Sequence, residues 1–274
     1  REPAGGYPGA SCERVHLSGG RSVLLESGAS EAELAALRAL DGHPINPRRL
    51  LVEAGGAILM EDAVFQPLGR GATAGQFGAL GDAVGALHRQ FRGQEIGLPV
   101  HDAAWFSRAA PYVMAEVASL AEAGEYRLSY ADSGRLEEAG VVIAELSEPL
   151  TGLLPTLVHG ACDEAHAGFS ERGPALVGWG LACSGLGWTD LARLSDAAAA
   201  RGEESLLALV SSYAAAAGYE PALVADLVPF CRALSDLYRL DRWNRELSSG
   251  LREPGSLRDL ATTRVHRLLD LVQV

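Results

Sequence analysis

Thr156-Leu157-Val158-His159-Gly160-Ala161-Cys162-Asp163-Glu164-Ala165-His166 is the stretch on which the fold turns. It opens as a short β segment and then breaks at Gly160 into a run of small, polar and titratable residues. Ala175-Leu176-Val177-Gly178-Trp179 reads as a second short β segment beside a loop, and Asp190-Leu191-Ala192 follows.

Outward from this centre the pattern is helical. Apolar residues recur at helical spacing over 76–92, 104–124, 136–147, 203–217, 221–240 and 256–272. The front of the chain differs. Residues 1–28 are Gly-rich and then alternate, and Glu13–Leu17, Ser18-Gly19-Gly20 and Arg21–Glu26 read as strand, turn and strand. Ser30 caps a helix that carries Glu31 and Glu33 in its first turn and Leu34, Leu37 and Leu40 at helical steps. His43-Pro44-Ile45-Asn46-Pro47 stops it, and Leu50–Val52 and Ala57–Met60 flank Gly55-Gly56 as a second hairpin. The expected architecture is α+β in two lobes. A small β-rich lobe covers 1–62, a larger helical lobe covers 63–274, and the joint lies near 61–68.

Composition narrows the function. The 274 residues, 48% hydrophobic and 21% charged, are ordinary for a globular protein. A net charge of −12 argues against nucleic acid, whose phosphates need concentrated positive charge. No apolar run approaches a membrane span, and Arg1-Glu2-Pro3 has no signal pattern, so a cytoplasmic protein is expected. Cys12, Cys162, Cys183 and Cys231 are scattered, with no Cys-x-x-Cys pair, so free thiols are expected rather than zinc or disulfides. All 23 basic residues are arginine. Any mechanism that needs a lysine ammonium, whether Schiff base, P-loop or kinase lysine, is excluded. Arginine, larger and forked, is no neutral replacement.

Gly5-Gly6-Tyr7-Pro8-Gly9-Ala10-Ser11 precedes a strand, and Ile58-Leu59-Met60-Glu61 ends one. Leu157-Val158-His159-Gly160, Val177-Gly178-Trp179-Gly180 and Asp190-Leu191-Ala192 then follow in order. Together these resemble the aminoglycoside phosphotransferase (phosphotransferase enzyme) family over nearly the whole chain. In that family they correspond to the nucleotide loop, the inter-lobe hinge, and the L-V-H-G-D-x-x-x-x-N, I-D-W and D-L-A segments. The resemblance implies a protein-kinase-like fold and phosphoryl transfer, and it also says which residues that chemistry needs. The family's base falls at Ala161, which cannot accept a proton. Its metal-binding Asn falls at His166, although Mg²⁺ prefers oxygen ligands, and its metal-binding Asp falls at Gly178. Its strand lysine falls at Leu25 or Glu26. Asp163, read as a shifted base, cannot also supply the second metal position. The resemblance therefore implies a degenerate member, a pseudokinase with no cofactor and no metal.

What survives reads first as structure. Asp190 is expected to fix a loop by accepting backbone hydrogen bonds, with His159 beneath it, and Trp179, Trp188 and His88 are expected to pack. Against that stands a dense titratable set, His159, Cys162, Asp163 and His166 with Glu164, in the old catalytic loop. A His there can shuttle protons near neutral pH, a carboxylate can orient it, and a thiolate can be a nucleophile. Degenerate members of the family occur in the maturation of ribosomal peptides. That analogy implies thioether ring closure on a dehydrated peptide, with a peptide substrate or a partner biosynthetic enzyme. The alternatives are a non-catalytic pseudokinase that binds a peptide or partner, and a residual small-molecule kinase.

Overall fold

The computed structural model describes residues 2–5, 11–248 and 258–271. The nucleotide-loop motif read at Gly5–Ser11 lies mostly on residues 6–10, outside the described residues. In chain order the first elements are β1 (Glu2–Gly5), β2 (Ser11–His16), β3 (Ser22–Ser27), α1 (Glu31–Ala39), β4 (Leu50–Ala54), β5 (Ala57–Glu61) and β6 (Phe65–Pro67). Then come α2 (Ala74–Phe91), β7 (Val100–His101), α3 (Ala103–Glu122), α4 (Tyr130–Ser147) and a 3₁₀ turn at Glu148–Leu150. After them run β8 (Thr156–Val158), β9 (Ala167–Ser170), β10 (Gly173–Leu176), β11 (Cys183–Gly185) and α5 (Trp188–Ala199). The chain closes with α6 (Glu203–Ala217), α7 (Pro221–Ser248) and α8 (Arg258–Leu271). The fold is α+β, with a small N-terminal sheet and a larger helical C-terminal part.

By contact the chain divides into two compact units, 1–100 with 154–228 and 101–153 with 229–274. In the first, the sheet runs β1-β2-β3-β5-β4. Antiparallel register sets Leu24 against Met60 and Glu26 against Ile58. Leu24, Ile58 and Met60 on the strands are buried, as are Leu34 and Leu37 on α1. Ser30 caps α1 by accepting the Glu33 N–H, as its sequence position requires. Thr73 and Gln76 form a capping box on α2. Helix α2 packs closely on α6, because Cβ atoms at Gly81 and Gly85 would sit 2.4 Å from the Leu209 carbonyl oxygen and 2.6 Å from that of Tyr213. Strand β9 pairs with both β10 and β6, and β8 pairs with β11. These short pairings fix the two ends of the 159–166 loop.

The second unit holds α3, α4, α8 and α7 from Pro229 onward. Among its buried polar groups, the Tyr126 hydroxyl donates to Asn244 Oδ1 at 2.6 Å, and Asp236 accepts from Arg267 at 2.8 Å. Among the described residues no helix is long and apolar enough to cross a membrane. All four cysteines are buried and outside any disulfide, and burial pushes the Cys231 thiol up to about 12.

Candidate functional site

The loop after β8 is built from both ends, and the ends differ. At its start Asp190, fully buried on α5, accepts the His159 N–H at 2.6 Å and the Gly160 N–H at 2.9 Å. His88 of α2 reaches the same carboxylate at 3.4 Å and meets the Tyr213 hydroxyl at 2.9 Å. Burial alone would raise the Asp190 pKa. The His88 hydrogen bond, the two nearby imidazoles and the backbone donors outweigh it and hold the carboxyl below its ordinary value. Asp190 thus does what its sequence position suggested. His159 is locked as well. Its Nε2 meets the Val177 carbonyl at 3.0 Å and its Nδ1 accepts the Ala161 N–H at 3.2 Å, an arrangement that requires the Nε2–H tautomer. Full burial drives its pKa from 6.5 to about 4, so the ring is neutral. Gly160 is confined too: φ is +75°, and a Cβ there would meet the Leu181 carbonyl oxygen at 2.3 Å.

At the far end the loop is open. Asp163 Oδ1 accepts from His166 Nδ1 at 2.7 Å and from the Ala165 N–H at 3.2 Å. Both side chains keep about 30% exposure, at 29% for Asp163 and 30% for His166. Arg193 Nη2 of α5 lies 3.8 Å from Asp163 Oδ2, and Arg201 pairs with Glu164 at 2.5 Å. The Val177 N–H donates to the His166 carbonyl at 2.9 Å, so 159–166 and 177–180 lie against each other although distant in sequence. Gly178 makes room for the ring: a Cβ at that position would come within 2.9 Å of His166 Cδ2.

The four candidate residues are therefore brought into one loop, with the His159 and His166 ring centroids 6.0 Å apart, but in two environments. Asp163 and His166 are half-buried, while His159 and Cys162 have no exposure. The positions that the resemblance makes metal ligands, 166 and 178, hold an imidazole engaged by Asp163 and no side chain. These residues do not fit a hard divalent cation. Among the described residues no group of three or more His, Cys, Asp or Glu side chains could hold a metal. On the sheet, where the resemblance puts a lysine, Glu26 is buried and hydrogen-bonded to Glu33 of α1. Burial raises the Glu26 pKa against the opposing pull of Arg48 and Glu33. The sequence reading missed Glu33, Arg193 and Arg201. Glu33 stood out only as a first-turn acid, and the two arginines carry no motif.

No protein-family model matches the sequence, and no curated protein does. Solved structures match well. A choline/ethanolamine kinase family protein from Mesorhizobium loti aligns with TM-score 0.69 at 17% identity, over 99% of this chain and 92% of its own. A choline kinase from Streptococcus pneumoniae gives 0.68 at 13%, over 98% and 92%. The macrolide 2′-phosphotransferase of Brachybacterium faecium gives 0.64 at 16%, over 96% and 90%. The chain therefore has the kinase-like fold shared by these phosphotransferases. Identities this low speak for the fold alone.

Proposed function

We propose that this chain has a kinase fold that no longer transfers phosphate, and that its Asp163–His166 pair moves protons on a bound peptide during thioether ring closure. The observation that carries the proposal is the seat of His166. Its ring stands in the space that Gly178 leaves open, with Nδ1 held by Asp163 at 2.7 Å. One imidazole thus takes the room of two ligand positions in the resembled family and presents a proton carrier instead of a metal site. The lost base at Ala161 and the Glu26–Glu33 carboxyl pair at the lysine position both oppose phosphate handling. The peptide class, the lobe joint near 61–68 and the cytoplasmic setting come from the sequence reading and belong to the same proposal.

The step balances without metal or nucleotide. His166 Nε2 takes the proton of a substrate thiol, whose free pKa is about 8.5. The thiolate forms a C–S bond to the β-carbon of a dehydrated residue as the C=C π bond opens, and the resulting enolate takes the proton back at the α-carbon. A positioned acid–base group is worth about 10²–10⁴-fold. His159, with both nitrogens engaged, supports the loop, and Cys162 is fully buried. The burial of these two favours a second reading, a non-catalytic module that binds a peptide or partner enzyme, because half of the titratable set is sealed in.

The test is a panel of His159→Ala, Cys162→Ala, Asp163→Asn and His166→Ala on a dehydrated precursor peptide, followed by mass spectrometry with thiol trapping. Trapping is needed because ring closure leaves the mass unchanged. Loss of closure is expected in the Asp163 and His166 variants. If every variant closes the ring at the wild-type rate while folded, the loop is not the site. If the wild type binds the peptide but does not cyclise it, the binding module replaces the enzyme.

A further inference from the structure

Helix α5 grips the 159–166 loop twice from one side. Asp190 and Arg193 are three residues apart and so share a helix face. Asp190 holds the start of the loop through two backbone N–H groups, and Arg193 reaches its far end at Asp163. The Arg193 side chain is only 12% exposed, so a guanidinium has been desolvated to stand there. Asp163 meets His166 Nδ1 and the Ala165 N–H on Oδ1, and the Arg193 guanidinium lies near Oδ2. The carboxylate thus accepts hydrogen bonds on Oδ1 and has a cation 3.8 Å from Oδ2.

We propose that Arg193 is the positioning residue of this site: by anchoring Asp163 Oδ2 it turns Oδ1 to His166 Nδ1–H and leaves His166 Nε2 as the unprotonated nitrogen that accepts the substrate proton. The inference rests on the reading in which His166 moves the proton, and it adds a residue from a different element to that site. An imidazole choosing between two tautomers is set by the hydrogen bond its other nitrogen makes. His159 and His166 are accordingly set oppositely, His159 with its proton on Nε2 facing Val177 and His166 with its proton on Nδ1 facing Asp163.

The test reads the ring nitrogens directly. In the full ¹⁵N-labelled chain, at a pH where the imidazoles are neutral, ring-nitrogen spectra report which atom carries the proton. Wild-type His166 is expected as the Nδ1–H form, Arg193→Gln as a mixture, and Arg193→Lys close to wild type, because a point charge replaces the fork. His159 should stay Nε2–H in all of them and serves as the fold control. If Arg193→Gln leaves the His166 pattern unchanged, Arg193 positions nothing. Should that variant fail to fold, Arg193→Met is read in its place: a tautomer mixture at His166 supports the inference, and the wild-type pattern overturns it. In the ring-closure assay kcat should fall about tenfold or more in Arg193→Gln with KM little changed, within the range a positioned base supplies. A tautomer change alongside a wild type that closes no ring keeps Arg193 as the positioning residue and removes the proposed reaction.

Discussion

His159 and His166 are the same side chain in one loop, with ring centroids 6.0 Å apart, yet they sit in different environments. His159 is sealed, bonded through both nitrogens and neutral. His166 is bonded on one side by a carboxylate and keeps 30% of its surface. The start of the loop is tied by Asp190, and its far end is open.

If this contrast is right, the largest effect comes from cutting the architectural end. Asp190→Ala removes a buried acceptor of two backbone N–H groups and strands His88, so it should destabilise by about 3–5 kcal/mol in chemical denaturation. A loss below about 1 kcal/mol would mean that the loop does not depend on it. The histidines sharpen the comparison. His159→Ala empties a buried site and orphans the Val177 carbonyl, so a loss of about 2–3 kcal/mol is expected. His166→Ala should stay within about 1 kcal/mol of wild type. Equal losses would erase the distinction between the two ends.

Acid should reach the sealed end by a defined route. The pKa of His159 is 6.5 when unfolded and about 4 when folded, so between those values the unfolded chain binds a proton that the folded chain does not. The stability contributed by the neutral ring is complete above pH 6.5 and is lost as pH falls toward 4, by at most about 3 kcal/mol. His101, lowered to about 4 chiefly by burial, acts in the same window. The measurement is therefore the difference between the denaturation curves of wild type and His159→Gln at pH 7 and pH 4.5. A difference that does not change with pH would contradict the assignment. The smallest effect concerns the sheet. Burial raises the Glu26 pKa, so its favourable contribution is lost as pH rises through the folded value. Glu26→Gln should therefore be neutral or stabilising by up to about 1 kcal/mol at pH 7, read from the denaturation midpoint. A clear loss would mean that the charged form is the one the fold uses.

Much of this was legible in the residues. Ser30, Gly55-Gly56 and the alternation of Arg21–Glu26 encode local structure that needs no distant partner, and the first strands and α1 form where they indicate. His159-Gly160 and Asp190 could be read because a backbone-binding aspartate beside a tight loop leaves a local pattern. Helix α5 itself was missed. Thr189, Asp190 and Ser195 lie on its buried side and break the apolar period, and Gly187 offers no side-chain cap. The His88–Asp190 link spans 102 residues, and the Arg193–Asp163 pair depends on where α5 docks. Nor does spacing reveal that Gly178 and His166 share one space, because that is a fact of packing between two loops.

The central claim is that phosphate transfer has gone from this fold, and ATP turnover tests it most directly. The purified chain, incubated with radiolabelled ATP and either Mg²⁺ or Mn²⁺, should release or transfer no phosphate above the buffer control. Ala161→Asp alone should stay equally silent, because positions 166 and 178 still offer His and Gly. Robust metal-dependent turnover from clean wild-type protein would contradict the account.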